Sequence, residues 1–599
     1  MPESGIKHVF GWVAALHLGI ATSGLFVLLR AFGLRRGACL VGAGSWSLSA
    51  PVICWLSLPS FLAVGCWLPW LLLLVRVAAF SHTGTRTGRL AALGVGGIAG
   101  TAILGGHLQI VLYTLLTVGA YTAWCLIPAL RMKAAKPLNT LGAVALAALL
   151  AGSLSAPQVL PTLELSRISH RVVTKRTPEL YAASVGSALP VRALITFAVP
   201  DFYGHPNAGL HWNNSNVRNP ATGASGNNYA EWAVYVGILP LLLAVFALTV
   251  TPFRGEKAFF AVLALLAILI ATGSPLNLLL YYVVPGYASL SNPGRVLIVF
   301  ALAVSVLAAF GANALLSADV PDASKRRGAV IAVAVVLLLG AVGVSLGMGW
   351  ATQAVAQIPF ADLVTQATPG LMLAGVWFAA AVGLLFAAPR FAKNAPVFLG
   401  LLLAVTALDL GTWGYNYNPT AKPERVYPVT PGITWLQTNA SDARIAVINR
   451  DWTLGQTAPR FAVLPPNALT VYRLHDIGGY DSLFPKAAKD QVTNAGSDDA
   501  SPPANGNMVF VKSVQTALNL GAEYIVLAGD SPPLETGLAE VFTGSDLRIL
   551  RGVEAVTNPS PAQVPPFPAS LRVGLWLAAV AGFLLIAGSL TLLLRRGGG

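Results

Sequence analysis

The sequence predicts an all-α polytopic membrane bundle of about 13 transmembrane helices, with a polar α/β domain set before the last of them. Three observations predict it. Thirteen apolar stretches are long enough to cross a bilayer, for which a helix needs roughly 20 residues; Val296 to Leu316, Ala329 to Trp350, Leu371 to Ala388 and Leu571 to Leu594 are the plainest. Hydrophobic residues make up 55% of the 599-residue chain and charged residues 10%, a membrane composition. The basic side chains cluster in alternate short loops, as the positive-inside rule requires of cytoplasmic ones.

Those clusters are Arg30, Arg35 and Arg36; Arg76, Arg86 and Arg89; Arg131, Lys133 and Lys136; Arg254 and Lys257; Lys325, Arg326 and Arg327; Arg390 and Lys393; and Arg595 and Arg596. The intervening short loops hold almost none, Arg295 being the exception. The net charge of +14 is therefore explained by topology, and a nucleic-acid partner is not called for. The four cysteines, Cys39, Cys54, Cys66 and Cys125, lie in or at the ends of apolar runs and read as small core residues rather than a disulfide framework.

Alternation from the basic loops gives spans near 9–29, 38–58, 61–80, 90–104, 108–130, 138–157, 232–252, 258–273, 296–316, 329–350, 370–388, 396–413 and 571–594. Residues 1–413 thus form a multi-pass region, 414–570 an extracytoplasmic α/β domain, and 571–594 a final helix whose C-terminus is cytoplasmic. The same count puts Met1 outside, with no signal peptide before the first full span. The expectation is that one helix and the outer loop after it precede this start; an N-out protein is the alternative.

Three outer segments are large. Residues 158–231 include the amphipathic piece Leu189 to Val199, expected to lie in the interface. Residues 273–295 hold an apolar patch, Leu276 to Val284, too short to cross and expected to turn back or lie flat. In the third, Trp413, Tyr415 and Tyr417 form an aromatic anchor. Beyond it, Arg444 to Asn449 and Tyr524 to Ala528 are strand candidates, Ser513 to Leu520 is helical, and Ala495 to Asn507 is a loop.

No Walker A loop, dinucleotide fingerprint or HExxH motif is present, and no metal site is expected. Gly94 to Gly100 is glycine-rich within a span, where small residues let helices pack closely. Ion-coupled transporters place ionisable groups or broken helices near the midplane. Here only His17 lies well inside a span, where it reads as bonded to a neighbouring helix, and Arg76 and Asp409 are near ends.

The ionisable residues gather instead at outer helix ends: His107 and Gln109, Glu164 and Arg167, Asp201, Glu231, and Arg295. If these loops converge they make a cavity of mixed charge at the outer water interface. Arg295, Arg167 and Arg171 suit a phosphate because guanidinium donates in a fork and stays charged. Asp201, Glu164 or Glu231 suits deprotonation of an attacking hydroxyl. The competing reading is that outer loops of this length carry charges simply to stay solvated.

Six segments carry a resemblance: Gly105-Gly106-His107-Leu108-Gln109; Leu160-Pro161-Thr162-Leu163-Glu164; Val199-Pro200-Asp201-Phe202-Tyr203-Gly204; Glu231 followed by Tyr235-Val236-Gly237-Ile238-Leu239-Pro240; Val284-Pro285-Gly286 with Asn292-Pro293-Gly294-Arg295; and Gly479-Tyr480-Asp481-Ser482. In this order the chain resembles YfhO-like bacterial membrane proteins from about residue 9 onward. The resemblance implies a C-type glycosyltransferase fold in the bacterial plasma membrane. It implies transfer of a sugar from a polyprenyl-phosphate carrier to an extracytoplasmic polysaccharide, teichoic acid, lipid or protein. The catalytic acid of that superfamily typically lies in the first outer loop, and no residue of this sequence is assigned that role. Asp201, Glu164 and Glu231 remain the catalytic candidates. Arg295, Arg167, Arg171, His107, Gln109, Asn292, Tyr203, His475 and Tyr480 are the binding candidates, with Arg473 and Asp476 beside the last two. A lipid or polysaccharide transporter and a non-catalytic envelope assembly factor are the alternatives.

Overall fold

The computed structural model describes residues 3–81, 85–131, 137–170, 176–205, 210–211, 229–290, 292–354, 360–391, 394–415, 417–418, 420–448, 464–496, 508–509, 511–531, 538–552 and 568–595. The chain forms two compact units. One contains 11–158, 176–419 and 574–599; the other contains 1–10, 159–175 and 420–573.

The larger unit is helical. Its first helices are α1 (Glu3–Ala31), α2 (Arg36–Ser47), α3 (Ala50–Ile53), α4 (Pro59–Gly65), α5 (Leu68–Phe80), α6 (Arg86–Leu104), α7 (Leu108–Arg131) and α8 (Pro137–Ile168). The short α9 (Pro178–Val185) and α10 (Tyr229–Trp232) flank a two-residue hairpin, β1 (Gly204–His205) against β2 (Leu210–His211). Next come α11 (Ile238–Val250), α12 (Gly255–Ala271), α13 (Pro275–Val283), α14 (Leu297–Leu315), α15 (Asp322–Ala354), α16 (Phe360–Ala387) and α17 (Ala395–Gly414). Among the described residues nine helices are long and apolar enough to cross a membrane, ten if α12 and α13 count as one bent span. The chain is a multi-pass membrane protein.

Helix α14 is the hub, buried almost all round among α2, α11 and α12. Small residues make that possible. A Cβ on Gly311 would sit 2.0 Å from the Leu243 carbonyl oxygen of α11, and one on Gly42 of α2 would sit 2.8 Å from Ser305 O. Backbone cannot move aside as a side chain can, so Gly311→Ala is expected to destabilise by about 1–3 kcal/mol, as overpacking typically does. Gly97→Ala, with nothing within 4 Å of its added carbon, is the matched control. Thermal unfolding of the two purified variants checks this; equal midpoints would contradict it. The close-packing reading of the glycine-rich span also holds, since a Cβ on Gly96 of α6 would meet Ala147 O of α8 at 2.7 Å.

Two expected spans are corrected. Residues 38–58 do not form one helix: α2 stops at Ser47, Ser49 is extended, and α3 restarts with Pro51, which has no N–H to continue the ladder. Residues 232–252 begin not as helix but as an extended stretch up to Gly237, before α11. The two breaks satisfy each other: Ala50 N donates to Tyr235 O (2.8 Å) and Ser45 Oγ to Val236 O (3.1 Å). Irregular backbone at membrane depth survives only where protein supplies such partners. Helix α12 bends by 86° into α13, so Leu276 to Val284 turns as the sequence indicated.

Leu189 to Val199 packs by one face against the helical unit. Its 3-10 turn, Val191–Phe197, buries Ala193 and Ile195, and Gly343 of α15 lies against the Ile195 backbone. His17 Nδ1 has no hydrogen-bond partner among the described residues. Asp409 is buried and satisfied: it accepts from Ile238 N (2.8 Å), capping α11 in trans, and from the Tyr235 hydroxyl. All four cysteines are buried and free.

The smaller unit is a three-layer α/β fold. Its elements are α18 (Pro431–Asn439), β3 (Arg444–Val447), α19 (Ala468–Val471), β4 (His475–Asp476), β5 (Gly479–Tyr480), α20 (Lys486–Ala495), β6 (Met508–Val509), α21 (Val514–Asn519), β7 (Tyr524–Ala528), β8 (Glu540–Thr543) and β9 (Leu547–Arg551). The last helix, α22 (Ala569–Arg595), belongs from residue 574 onward to the larger unit. Five strands run in the order β4-β3-β7-β9-β8, the first three parallel and the last two antiparallel. Strand alternation sorts the apolar residues: Ile445, Val447, Val526 and Ile549 face α18 and α19, while Ala446, Ile448, Ile525, Leu527 and Leu550 face α20 and α21. The expected strands at 444 and 524 and the helix at 513–520 are present, Ser513 Oγ capping α21. Residues 497–507 of the expected loop lie outside the described residues.

Candidate functional site

At one end of the helical unit, three loops converge on a single ion pair. The Asn292-Pro293-Gly294-Arg295 turn leads into α14, with Asn292 in the left-handed region (φ 57°) and Pro293 opening a 3-10 turn. A Cβ at Gly294 would be 2.0 Å from Glu231 O, so only glycine lets α10 lie on this turn. That contact sets Glu231 beside Arg295. Arg295 Nε donates to Oε1 (3.0 Å) and Oε2 (3.1 Å) of Glu231, Nη2 to Oε1 (2.7 Å), and Nη1 to Gln109 Oε1 (3.1 Å). Asn292 Nδ2 adds a bond to Glu231 Oε1 (3.2 Å).

Gln109 ties the pair to its surroundings, its Nε2 donating to Asn292 O (3.1 Å) and Tyr113 Oη (3.2 Å). The guanidinium also lies over the Trp55 ring (5.4 Å), which stacks on Phe61 at 4.5 Å. His107 meets Phe61 edge-on (5.3 Å), and its Nδ1 accepts the Ile110 N–H at the start of α7 (3.4 Å). Burial, with Arg295 nearby, pushes the His107 pKa down to about 4, so the ring is neutral at physiological pH and its proton sits on Nε2. Burial pushes the Glu231 carboxyl up, while Arg295 and Asn292 work in the opposite direction. Of five guanidinium N–H groups, one on each terminal nitrogen is left over after these bonds.

A second cluster lies on the other flank of α10. Tyr229 and Glu231 are two residues apart, a spacing that sends side chains to opposite sides of a helix. The Tyr229 hydroxyl donates to Asp201 Oδ1 (3.0 Å), as does Trp413 Nε1 (3.2 Å). The rings of His205 and Tyr417 stand 5.8 and 5.6 Å from that of Tyr229. Burial raises the Asp201 carboxyl above the ordinary aspartate range, against the opposing pull of His205, Tyr229 and Trp413. The same burial lowers His205. Beside Tyr229 and Trp232 is a cavity of about 20 Å³, room for one water.

The other sequence candidates fall elsewhere. Tyr203 is in the core, only 1% exposed, its hydroxyl donating to Arg192 O (2.9 Å); it is a packing residue and not a presented ligand. Glu164 and Arg167 belong to the smaller unit, where they face each other at 3.5 Å across one helical turn with Arg167 78% exposed. Arg171 lies outside the described residues. His475, Asp476 and Tyr480 line a cavity of about 670 Å³ within the smaller unit. Arg473, just before β4, has φ 60° and is exposed. Burial pushes the Asp476 carboxyl up to about 7, although Gly478 N donates to it (2.8 Å).

No family model matches this chain, and no curated protein matches it. Solved structures similar to it include ArnT from Cupriavidus metallidurans in the apo state, at 13% identity and TM-score 0.40 over 90% of this chain and 83% of that one. The same protein bound to undecaprenyl phosphate gives 14% and 0.41 over 92% and 84%. The arabinofuranosyltransferase AftD from Mycobacteria gives 14% and 0.35 over 90% of this chain but 33% of its own. Likeness this distant leaves reaction and substrate to be argued from the residues.

Sequence reasoning missed Tyr229, Trp413 and Trp55 as parts of these clusters. Trp413 was visible only as a membrane anchor, and Trp55 only as one more apolar residue of an expected span. Their roles depend on which side they face once the 38–58 span is broken.

Proposed function

We propose that the chain is a membrane glycosyltransferase that moves a sugar from a polyprenyl-phosphate carrier to an acceptor on the extracytoplasmic face of a bacterial plasma membrane, as its resemblance to YfhO-like proteins implies. The observation that carries this reading is the Arg295–Glu231–Gln109 assembly, a fixed guanidinium held at the ends of apolar helices with two N–H groups unengaged among the described residues. A lipid-borne phosphate arrives at that depth. In the reaction, an acceptor oxygen attacks the anomeric carbon as its proton passes to a carboxylate, and the bond from that carbon to the carrier phosphate breaks. Polyprenyl phosphate leaves with the negative charge, toward Arg295.

Asp201 fits the base. It is half-buried and its carboxyl is shifted toward higher basicity; only Oδ1 is engaged among the described residues. Glu231, clamped by Arg295, serves as counter-ion, and Glu164 pairs with Arg167. The apolar bend at α13 offers Leu278, Leu279 and Val283, all exposed, to the prenyl chain.

The test uses membranes containing the full-length protein, a panel of polyprenyl-phosphate hexoses and envelope glycan as acceptor. Parent protein should release polyprenyl phosphate. Arg295→Lys keeps the charge but loses the fork, and should release it at least about tenfold more slowly. Equal rates would remove the phosphate assignment.

A further inference from the structure

We infer that the cavity of the α/β unit is a glycan-binding site for neutral or amine-bearing saccharide, and that it excludes anionic polymers. The inference deepens the transferase reading by naming the acceptor class, and rests on that reading only for calling the ligand an acceptor.

The cavity measures about 670 Å³, within the range of small-molecule sites and enough for two or three sugar rings. Its wall carries Tyr480, a ring left 40% exposed although its backbone is clamped from both sides: Asn467 Oδ1 accepts the Tyr480 N–H (3.0 Å) and Asn467 Nδ2 donates to its carbonyl (2.5 Å). A rigidly held, partly wet aromatic face is what the C–H surface of a pyranose packs on, and the phenol hydroxyl has no partner among the described residues and can bond a sugar oxygen. Phe484 adds a second ring, held by stacking on His170 (4.4 Å) within the same unit.

The charges select the ligand. Asp442 and Asp481 line the cavity beside Asp476, whose carboxyl burial pushes up to about 7, and are opposed among the described lining residues by Arg444 and the imidazole of His475. Asp476 and Asp481 each use one oxygen on a local N–H, of Gly478 (2.8 Å) and Leu483 (2.9 Å), which fixes the carboxyl groups and, among the described residues, leaves the second oxygen of each for a ligand. A phosphate or uronate would meet this excess of like charge, whereas an ammonium would find charge-assisted acceptors. Hydroxyl groups of a neutral sugar need only the acceptors.

The experiment measures binding to full-length protein in zwitterionic nanodiscs by calorimetry. The probes are a glucosamine tetramer, its N-acetylated counterpart, a galacturonate tetramer and a tetralysine peptide. The two uncharged or amine-bearing saccharides should bind, the galacturonate should not, and tetralysine should bind at least about tenfold more weakly than the glucosamine tetramer. Tyr480→Ala should weaken both saccharides. Asp481→Asn, which still accepts from Leu483, should weaken the glucosamine tetramer about tenfold and leave the acetylated one nearly unchanged. Both variants should unfold at the parent temperature.

Galacturonate binding as well as glucosamine, tetralysine matching it, or folded variants that bind like the parent would each overturn the inference. Arg295→Lys is expected to leave these affinities alone. Loss of binding with polyprenyl phosphate still released sinks only the glycan site. Binding without release in any donor assay sinks the transferase reading and leaves the site standing.

Discussion

Glu231→Ala is expected to be among the most damaging single substitutions in the helical unit, costing about 3–5 kcal/mol of stability. The reason is asymmetry. Arg295 has a side chain 23% exposed, and its partner Glu231 is 5% exposed; removing the carboxylate strands a guanidinium whose other neighbours are an amide, an indole ring and backbone. The reciprocal Arg295→Ala strands a carboxylate deeper still. A double replacement, Glu231→Leu with Arg295→Met, removes both charges together and should cost less than the two single changes combined. Thermal unfolding of detergent-purified protein measures the three variants against the parent. A Glu231→Ala midpoint matching the parent would show that the pair contributes nothing to the fold.

Asp201→Asn is expected to cut transfer by about 10²–10⁴-fold, the usual worth of a positioned general base. Its unfolding temperature should stay near that of the parent, because the amide oxygen still accepts from Tyr229 and Trp413. The pH profile gives a second readout. A base must be deprotonated to act, so activity falls as pH drops through its pKa. Burial raises Asp201, which places that acid limb above the pH at which an ordinary aspartate titrates, about 3.9. Tyr229 and Trp413 donate to the charged form and so lower the pKa, as does the facing His205 when protonated. Tyr229→Phe removes one donor and should move the acid limb to still higher pH. A limb unmoved in Tyr229→Phe, or full activity in Asp201→Asn, would take Asp201 out of the reaction.

Much of the architecture was legible in the chain because hydropathy and loop charge are properties of composition. The basic loops marked the turns, and the glycines of α6 marked a helix contact that the structure places against α8. Strands β3 and β7 stood out as short β-branched runs. The hairpin β8–β9 did not, since Glu540, Arg548 and Arg551 interrupt its alternation; Glu540 and Arg548 instead pair across it at 2.8 Å. Hydropathy also misread residues 38–58, because an apolar average hides a backbone break. The partner that makes the break tolerable, Tyr235 O, lies far along the chain.

The candidate site was legible as residue types but not as pairings. Arg295, Glu231, Gln109 and Asn292 were all singled out, yet nothing in the sequence said that Glu231 would be consumed as the counter-ion of Arg295. That depends on Gly294 admitting the α10 backbone. Arg167 and Glu164 show the opposite outcome, two candidates whose nearest charged partner is each other.

The most direct test of the account is mass spectrometry of envelope glycans from source cells in which the native protein is replaced by folded Asp201→Asn. The transferase account predicts that glycans lose one sugar substituent present in the parent while its polyprenyl-phosphate form accumulates. Unaltered glycans and carrier levels in cells making normal amounts of the variant would contradict it.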